Sequence, residues 1–177
     1  MVRWFNYKYL TMSNVKLFTM YTSLQEFDEM KNGYYKDKYG NQEWRKNGKL
    51  HREDGPAIIY AHGSQEWWVN GKLHREDGPA FILPDGTQEW YLNGKIHRED
   101  GPAYIGADGT QAWRLNGKRH REDGPAIILP DGYQEWYING KDVTDEVYEW
   151  FKEYKLTYET MDEEERMIFG FHIRSLM

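Results

Sequence analysis

The sequence predicts a mainly β protein. It reads as a tandem array of antiparallel β-hairpins with a small α/β cap at its N-terminal end and a helical cap at its C-terminal end. Three observations carry this. A Gln-x-Trp tripeptide recurs every 23 residues, at Gln42-Glu43-Trp44, Gln65-Glu66-Trp67, Gln88-Glu89-Trp90, Gln111-Ala112-Trp113 and Gln134-Glu135-Trp136. The heptapeptide His-Arg-Glu-Asp-Gly-Pro-Ala stands four times unchanged, at 51–57, 74–80, 97–103 and 120–126. Each Trp is followed by Asn-Gly, the strongest short hairpin signal, because both residues of such a turn need positive φ. A fixed period of this length is the signature of a repeat array, in which each unit contacts mainly its neighbours and builds an extended surface rather than one deep pocket.

Residues 1–32 form the N-terminal cap in this reading. Segments 2–9 and 15–21 have strand character. Ser23-Leu24-Gln25-Glu26 is a capping box opening a short helix, with Leu24, Phe27 and Met30 on one face and Asn32-Gly33 as its stop. Residues 33–141 form the array. In the unit 85–107, Asp85-Gly86 reverses the chain, a six-residue strand runs from Thr87 to Leu92, and Asn93-Gly94 reverses it again. A longer return runs from Lys95 to Ala107, interrupted at Gly101-Pro102 because proline cannot donate to a ladder. Period-2 alternation puts Gln88 and Trp90 on one face and Glu89 and Tyr91 on the other. The recurring pairs Ala57/Ile59, Ala80/Ile82, Ala103/Ile105 and Ala126/Ile128 join the Trp residues as the inner face. Two strands per repeat advance the array by roughly 10 Å per unit.

Residues 142–177 form the C-terminal cap. Val143, Val147, Trp150, Phe151 and Tyr154 recur at helical spacing over 143–156, and Asp145 and Glu146 suit the first turn. A second helix starts at the box Thr160-Met161-Asp162-Glu163 and continues through Met167, Ile168 and Phe171, weakened by Gly170.

Composition narrows the function classes. Aromatics are 16% of the chain, with 8 Trp and 14 Tyr, so burial leans on large rings. With no cysteine, disulfides and thiolate metal sites are excluded. The net charge of −6 sits at one end: residues 142–177 carry 10 acidic and 4 basic side chains, while 1–141 balance at 19 of each. A neutral array with an acidic end lacks the basic footprint that phosphate contacts need, so nucleic acid is not an expected partner. No stretch approaches the roughly 18 apolar residues of a membrane span, and Met1 to Lys8 lack a signal peptide's apolar core, so a cytoplasmic location is expected.

Trp90-x-x-Asn93-Gly94-Lys95-x-His97, followed by Gly101 and Asp108-Gly109, resembles the Trp-x-x-Gly-Lys-x-His-Gly-x-Gly…Asp-Gly pattern of the MORN repeat family, whose period is similar. The resemblance covers about residues 33–141. It departs where the family's His-Gly-x-Gly becomes His-Arg-Glu-Asp-Gly-Pro-Ala, a variant similar to a divergent subclass from bacteriophages, giant viruses and bacteria. The resemblance implies a hairpin array used for protein contacts and sometimes for dimerisation. Lipid binding has been proposed for the family, but this charge pattern does not support it, so a membrane partner is not expected.

The His-Arg-Glu-Asp cluster (His74, Arg75 and Asp77; His97, Arg98 and Asp100; His120, Arg121 and Asp123) has the residue types of a metal or proton-transfer site. Near-identical copies in successive repeats point instead to a structural staple, since an active site is one asymmetric constellation. In the staple reading Arg98 bridges Glu99 or Asp100. No phosphate loop or nucleophile elbow is present, and neither a catalytic residue nor a cofactor is expected. Variable positions are the freer ones. Directly after each recurring Trp stand Arg45, Trp68, Tyr91, Arg114 and Tyr137, on the face away from Trp, with Ile58, Phe81, Tyr104 and Ile127 beside them on the return strands. Arg, Trp and Tyr are enriched at binding hot spots. This stripe is either an exposed partner site or a second buried face under the caps. The leading expectation is a non-enzymatic binding module for another protein, in one version a phage-encoded inhibitor of a host defence protein. The alternatives are a sponge holding a nucleotide-like signal between protomers, and a structural homodimer or antitoxin-like repeat protein.

Overall fold

The computed structural model describes residues 32–177. The N-terminal cap expected over 1–32, with its two strands and its short helix, therefore lies outside the described residues except for Asn32. The array after it is built from one repeated course of chain.

The repeat of 85–107 shows that course. Strand Gln88–Glu89 leads through Trp90 into a hairpin arm, Tyr91–Leu92 paired with Lys95–Ile96, and the chain returns as Tyr104–Ile105. The returning strand pairs with Gln88–Glu89 of its own repeat and with Gln111–Ala112 of the next. Repetition of this step produces one antiparallel sheet of 11 strands, opened by the pair Gly33–Lys36 and Gln42–Lys46, with four separate two-stranded arms beside it. The protein is thus mainly β, as the repeat pattern predicts, but its strands are shorter than expected. The six-residue strand Thr87 to Leu92 is split at Trp90, and the return from Lys95 to Ala107 is strand only at its two ends. The break falls where the Trp90 backbone changes partners. Its N–H donates to Ala103 in the sheet, at 2.8 Å, while its carbonyl accepts from His97 in the arm, at 3.0 Å. The chain leaves one pairing and enters another at this residue. In the first repeat, strand Gln42–Lys46 crosses its Trp without a break and carries the arm strand Lys49–Leu50 within the main sheet.

The Asn-Gly turns form as the sequence demands. Asn47, Asn70, Asn93, Asn116 and Asn139 have φ between 52° and 55°, and the glycines after them between 74° and 88°. Ala57, Ala80, Ala103 and Ala126 are fully buried, whereas the Trp residues of the first four repeats are only half-buried.

The apolar core proper lies at the C-terminal end. Helices Thr144–Tyr154 and Glu163–Ser175 pack Val143, Val147, Trp150, Phe151, Phe169 and Ile173 around Trp136, the last recurring Trp. Trp136 is 1% exposed and meets Tyr148, Phe151 and Tyr158 edge-to-face. The second helix starts two residues later than the predicted box. Asp162 caps it, accepting from the Glu165 N–H while the Glu165 carboxylate accepts from the Asp162 N–H. It runs straight through Gly170. Its inward face is Phe169 and Ile173, and Met167, Ile168 and Phe171 are exposed.

Candidate functional site

The heptapeptide forms a staple of two halves. Its arginine works within its own repeat. Arg98 Nε donates to Asp100 at 2.8 Å, Nη1 donates to the Pro102 carbonyl at 3.2 Å, and the guanidinium carbon sits 4.2 Å above the centre of Trp90. Arg52, Arg75 and Arg121 repeat this on Asp54, Asp77 and Asp123 and on Trp44, Trp67 and Trp113. Of the two acids open to Arg98 on sequence grounds, Asp100 is the one engaged. The close wrap also explains the glycine of the motif: a Cβ on Gly101 would lie 3.0 Å from the guanidinium carbon. The hydrogen bond and charge of the arginine hold the carboxyls of Asp54, Asp77 and Asp100 below their usual value.

The histidine works between repeats. Nδ1 of His74 accepts from the backbone N–H of Asn93 in the following turn at 3.1 Å, and His51, His97 and His120 do the same for Asn70, Asn116 and Asn139. An acceptor Nδ1 puts the ring proton on Nε2, which faces the Glu two residues on, at 3.1 to 3.6 Å across the four copies. In the first repeat, where no earlier heptapeptide exists, the Asn32 side chain accepts from Asn47 in the same way. Two further bonds join each arm to the next: Gly94 N–H to the Leu73 carbonyl at 2.8 Å, and Arg75 N–H to the Tyr91 carbonyl at 3.1 Å. The residue types that suggest proton transfer or metal binding are thus spent on stacking. Among the described residues, no group of three or more His, Cys, Asp or Glu is placed to hold a metal ion.

The variable stripe lies on the opposite face. Glu89 pairs with Tyr104, Tyr104 with Ala112, Ala112 with Ile127 and Ile127 with Glu135, so these five form one row across the sheet. The arms set Tyr91, Arg114 and Tyr137 alongside that row. Row and arms enclose an open groove of about 600 Å³, lined by all of these side chains together with Arg119. Neither expectation for the stripe holds in full. Arg45, Trp68, Tyr91, Arg114 and Tyr137, with Phe81 and Tyr104, are half-buried, while Ile58 and Ile127 are buried. The C-terminal helices cover Trp136, on the inner face. Tyr91, Tyr104, Arg114 and Tyr137 wall the groove, whereas Arg45, Trp68 and Phe81 lie outside it.

Polar groups along the stripe are mostly paired. Tyr91 donates to Glu89 at 2.7 Å, and burial with that carboxylate beside it pushes its phenol up to about 12. Trp68 Nε1 donates to Glu66 at 2.6 Å, and Arg45 Nε to Glu43 at 3.0 Å. Arg119 donates to the Tyr137 hydroxyl at 2.9 Å and lies 3.8 Å from Glu135. Burial also raises the phenols of Tyr104 and Tyr137. Arg119 belongs to the groove but was not singled out from the sequence, because its position follows the turn lysine and carries Leu or Ile in three other repeats. Its pairing across the arm with Arg114 was the available signal.

No family model matches the chain, and no curated protein matches it. The fold therefore stands on its own geometry, that of repeated antiparallel hairpins in one long sheet followed by two helices.

Proposed function

We propose that this chain is a non-enzymatic protein-binding module, a divergent MORN-type hairpin array that engages another protein along the grooved face of its repeat sheet. The groove carries the reading. It collects the side chains that vary between repeats, crosses several repeats, and is lined with tyrosine and arginine, the types that anchor interfaces. Its open, elongated form suits a segment of polypeptide better than an enclosed small molecule. The sponge alternative is supported less, since it needs several convergent arginines; of the two lining the groove, Arg119 is already engaged by Tyr137 and Glu135. In the phage-derived version the partner is a host protein met in the host cytoplasm.

The test is a quantitative pull-down from host lysate with wild type, Tyr91→Ala and Tyr104→Ala, each checked for native folding. Loss of a central anchor costs about 2 kcal/mol or more, so retention of a specific partner should fall at least about tenfold. Folded variants that retain the partner in full would move the interface to the caps.

A further inference from the structure

The groove contains one arginine that its repeat leaves without an acid. Two residues before the stripe, four of the five repeats place a glutamate: Glu43, Glu66, Glu89 and Glu135. Three of these carboxylates accept a hydrogen bond from the stripe side chain of their own repeat, and the fourth faces Arg119. In the fourth repeat the position is Ala112 and the stripe residue is Arg114. Arg114 Nε is buried, and no acceptor among the described residues lies within hydrogen-bond distance of it. The substitution therefore does two things. It removes the carboxylate, and it leaves the small Ala112 lining the groove where the other repeats carry the acid. A buried donor without an acceptor is costly, and the cost is recovered when an acceptor arrives.

Resting on the reading of the groove as the protein-binding face, we propose that Arg114 is the docking point for a single carboxylate, an Asp or Glu side chain on an extended segment of the partner. The partner's carboxylate occupies the place of the absent glutamate, and the rings of Tyr91 and Tyr137 flank the segment. Local charge selects a carboxylate over a phosphate. Glu89 and Glu135 lie two strands away on either side of Ala112, about 10 Å at ordinary strand spacing. Arg119, 3.8 Å from Glu135, offsets one of these charges, and the charge left on Glu89 favours a monoanion over a dianion on Arg114.

The test is an NMR titration of the full chain that follows the Arg114 Nε–H signal and the amides of the groove. The probes are an acetylated, amidated pentapeptide with a central Glu between Val and Thr residues, its Gln counterpart, and inorganic phosphate. The Glu peptide should shift Arg114 and bind at least about tenfold more tightly than the Gln peptide, the equivalent of one good charged hydrogen bond. Arg114→Met should abolish the difference. Ala112→Glu should abolish it too and raise the urea midpoint, because it returns the missing carboxylate. Equal binding of the two peptides in the groove would overturn the Arg114 assignment while leaving the groove as a peptide site. The absence of any shift from either peptide would overturn both. Tighter binding by phosphate would assign the site to a small anion instead, and shifts produced by raising the protein concentration alone would assign it to a second copy.

Discussion

Truncating Arg98 to Ala should be the most damaging single change in its staple. The guanidinium makes three contacts of unequal worth. Stacking on Trp90 at 4.2 Å, half-shielded from water, contributes about 1 kcal/mol. The 3.2 Å bond to the Pro102 carbonyl comes from a charged donor, and loss of such bonds costs about 1.5–3 kcal/mol; the low end applies to a side chain 23% exposed. The ion pair with Asp100 adds least, because that carboxylate is 83% exposed and solvent screens it. Arg98→Ala should therefore lose about 2–3 kcal/mol in urea denaturation, followed by circular dichroism and tryptophan fluorescence. Arg98→Lys should lose most of that, since an ammonium keeps the charge but neither the planar stack nor the fork. Asp100→Ala should lose clearly less than Arg98→Ala. An Arg98→Lys variant as stable as wild type would mean that charge alone matters and that the stack and fork contribute nothing. An Asp100→Ala variant as costly as Arg98→Ala would equally overturn this ranking of the contacts and make the exposed ion pair the staple.

Deleting residues 74–96 removes one full period and rejoins Leu73 to His97 in register; the product should be soluble and cooperatively folded with a lower urea midpoint, by circular dichroism and NMR, as nearest-neighbour energetics require. Acid should loosen the staples in a defined sense. The carboxyls of Asp54, Asp77 and Asp100 are lowered in the folded chain, so their contribution is present above the ordinary carboxylate value of about 4 and is lost as pH falls through the folded value. Urea midpoints should thus drop below about pH 4, and the gap between wild type and Arg98→Ala should narrow there; a gap that stays constant down to pH 2.5 would contradict this.

The hairpin array was legible because its signals are backbone signals. Asn-Gly can serve a two-residue turn with positive φ at both positions, and the five copies do so. The broken strand was not legible. Alternation through Gln88, Trp90 and Leu92 is the same whether the chain stays in one ladder or changes ladders at Trp90; only the destination of the Trp90 N–H and carbonyl separates the two. The box Thr160-x-x-Glu163 misplaced the second helix by two residues because Asp162-x-x-Glu165 fits the same pattern and prevails. The second helix's buried side was not legible for a related reason. Met167, Ile168, Phe169, Phe171 and Ile173 are apolar nearly all round, so periodicity could not select Phe169 and Ile173.

The staple and the stripe show why some positions recur and others vary. Four of the five stripe residues are tied to the preceding repeat through their carbonyls: Trp68, Tyr91, Arg114 and Tyr137 accept from the backbones of Arg52, Arg75, Arg98 and Arg121. That bond places no demand on the side chain, so the position is free to change. The heptapeptide has no such freedom, because its His and Arg side chains make the contacts. The end of the array follows the same logic. After Trp136 the chain still turns at Asn139-Gly140, and Val143 N–H still donates to the Trp136 carbonyl, at 2.9 Å, as His120 N–H does to Trp113. Val143 occupies the histidine position where no further turn needs an acceptor, and Thr144 occupies the arginine position where Phe151 and Tyr158 cover the ring instead. The staple thus stops where it has no neighbour to hold, and the stripe keeps varying up to that point. The stack makes no demand on the stripe side chains, and at Ala112, before Arg114, the groove loses its own acid and leaves the Arg114 Nε without an acceptor among the described residues.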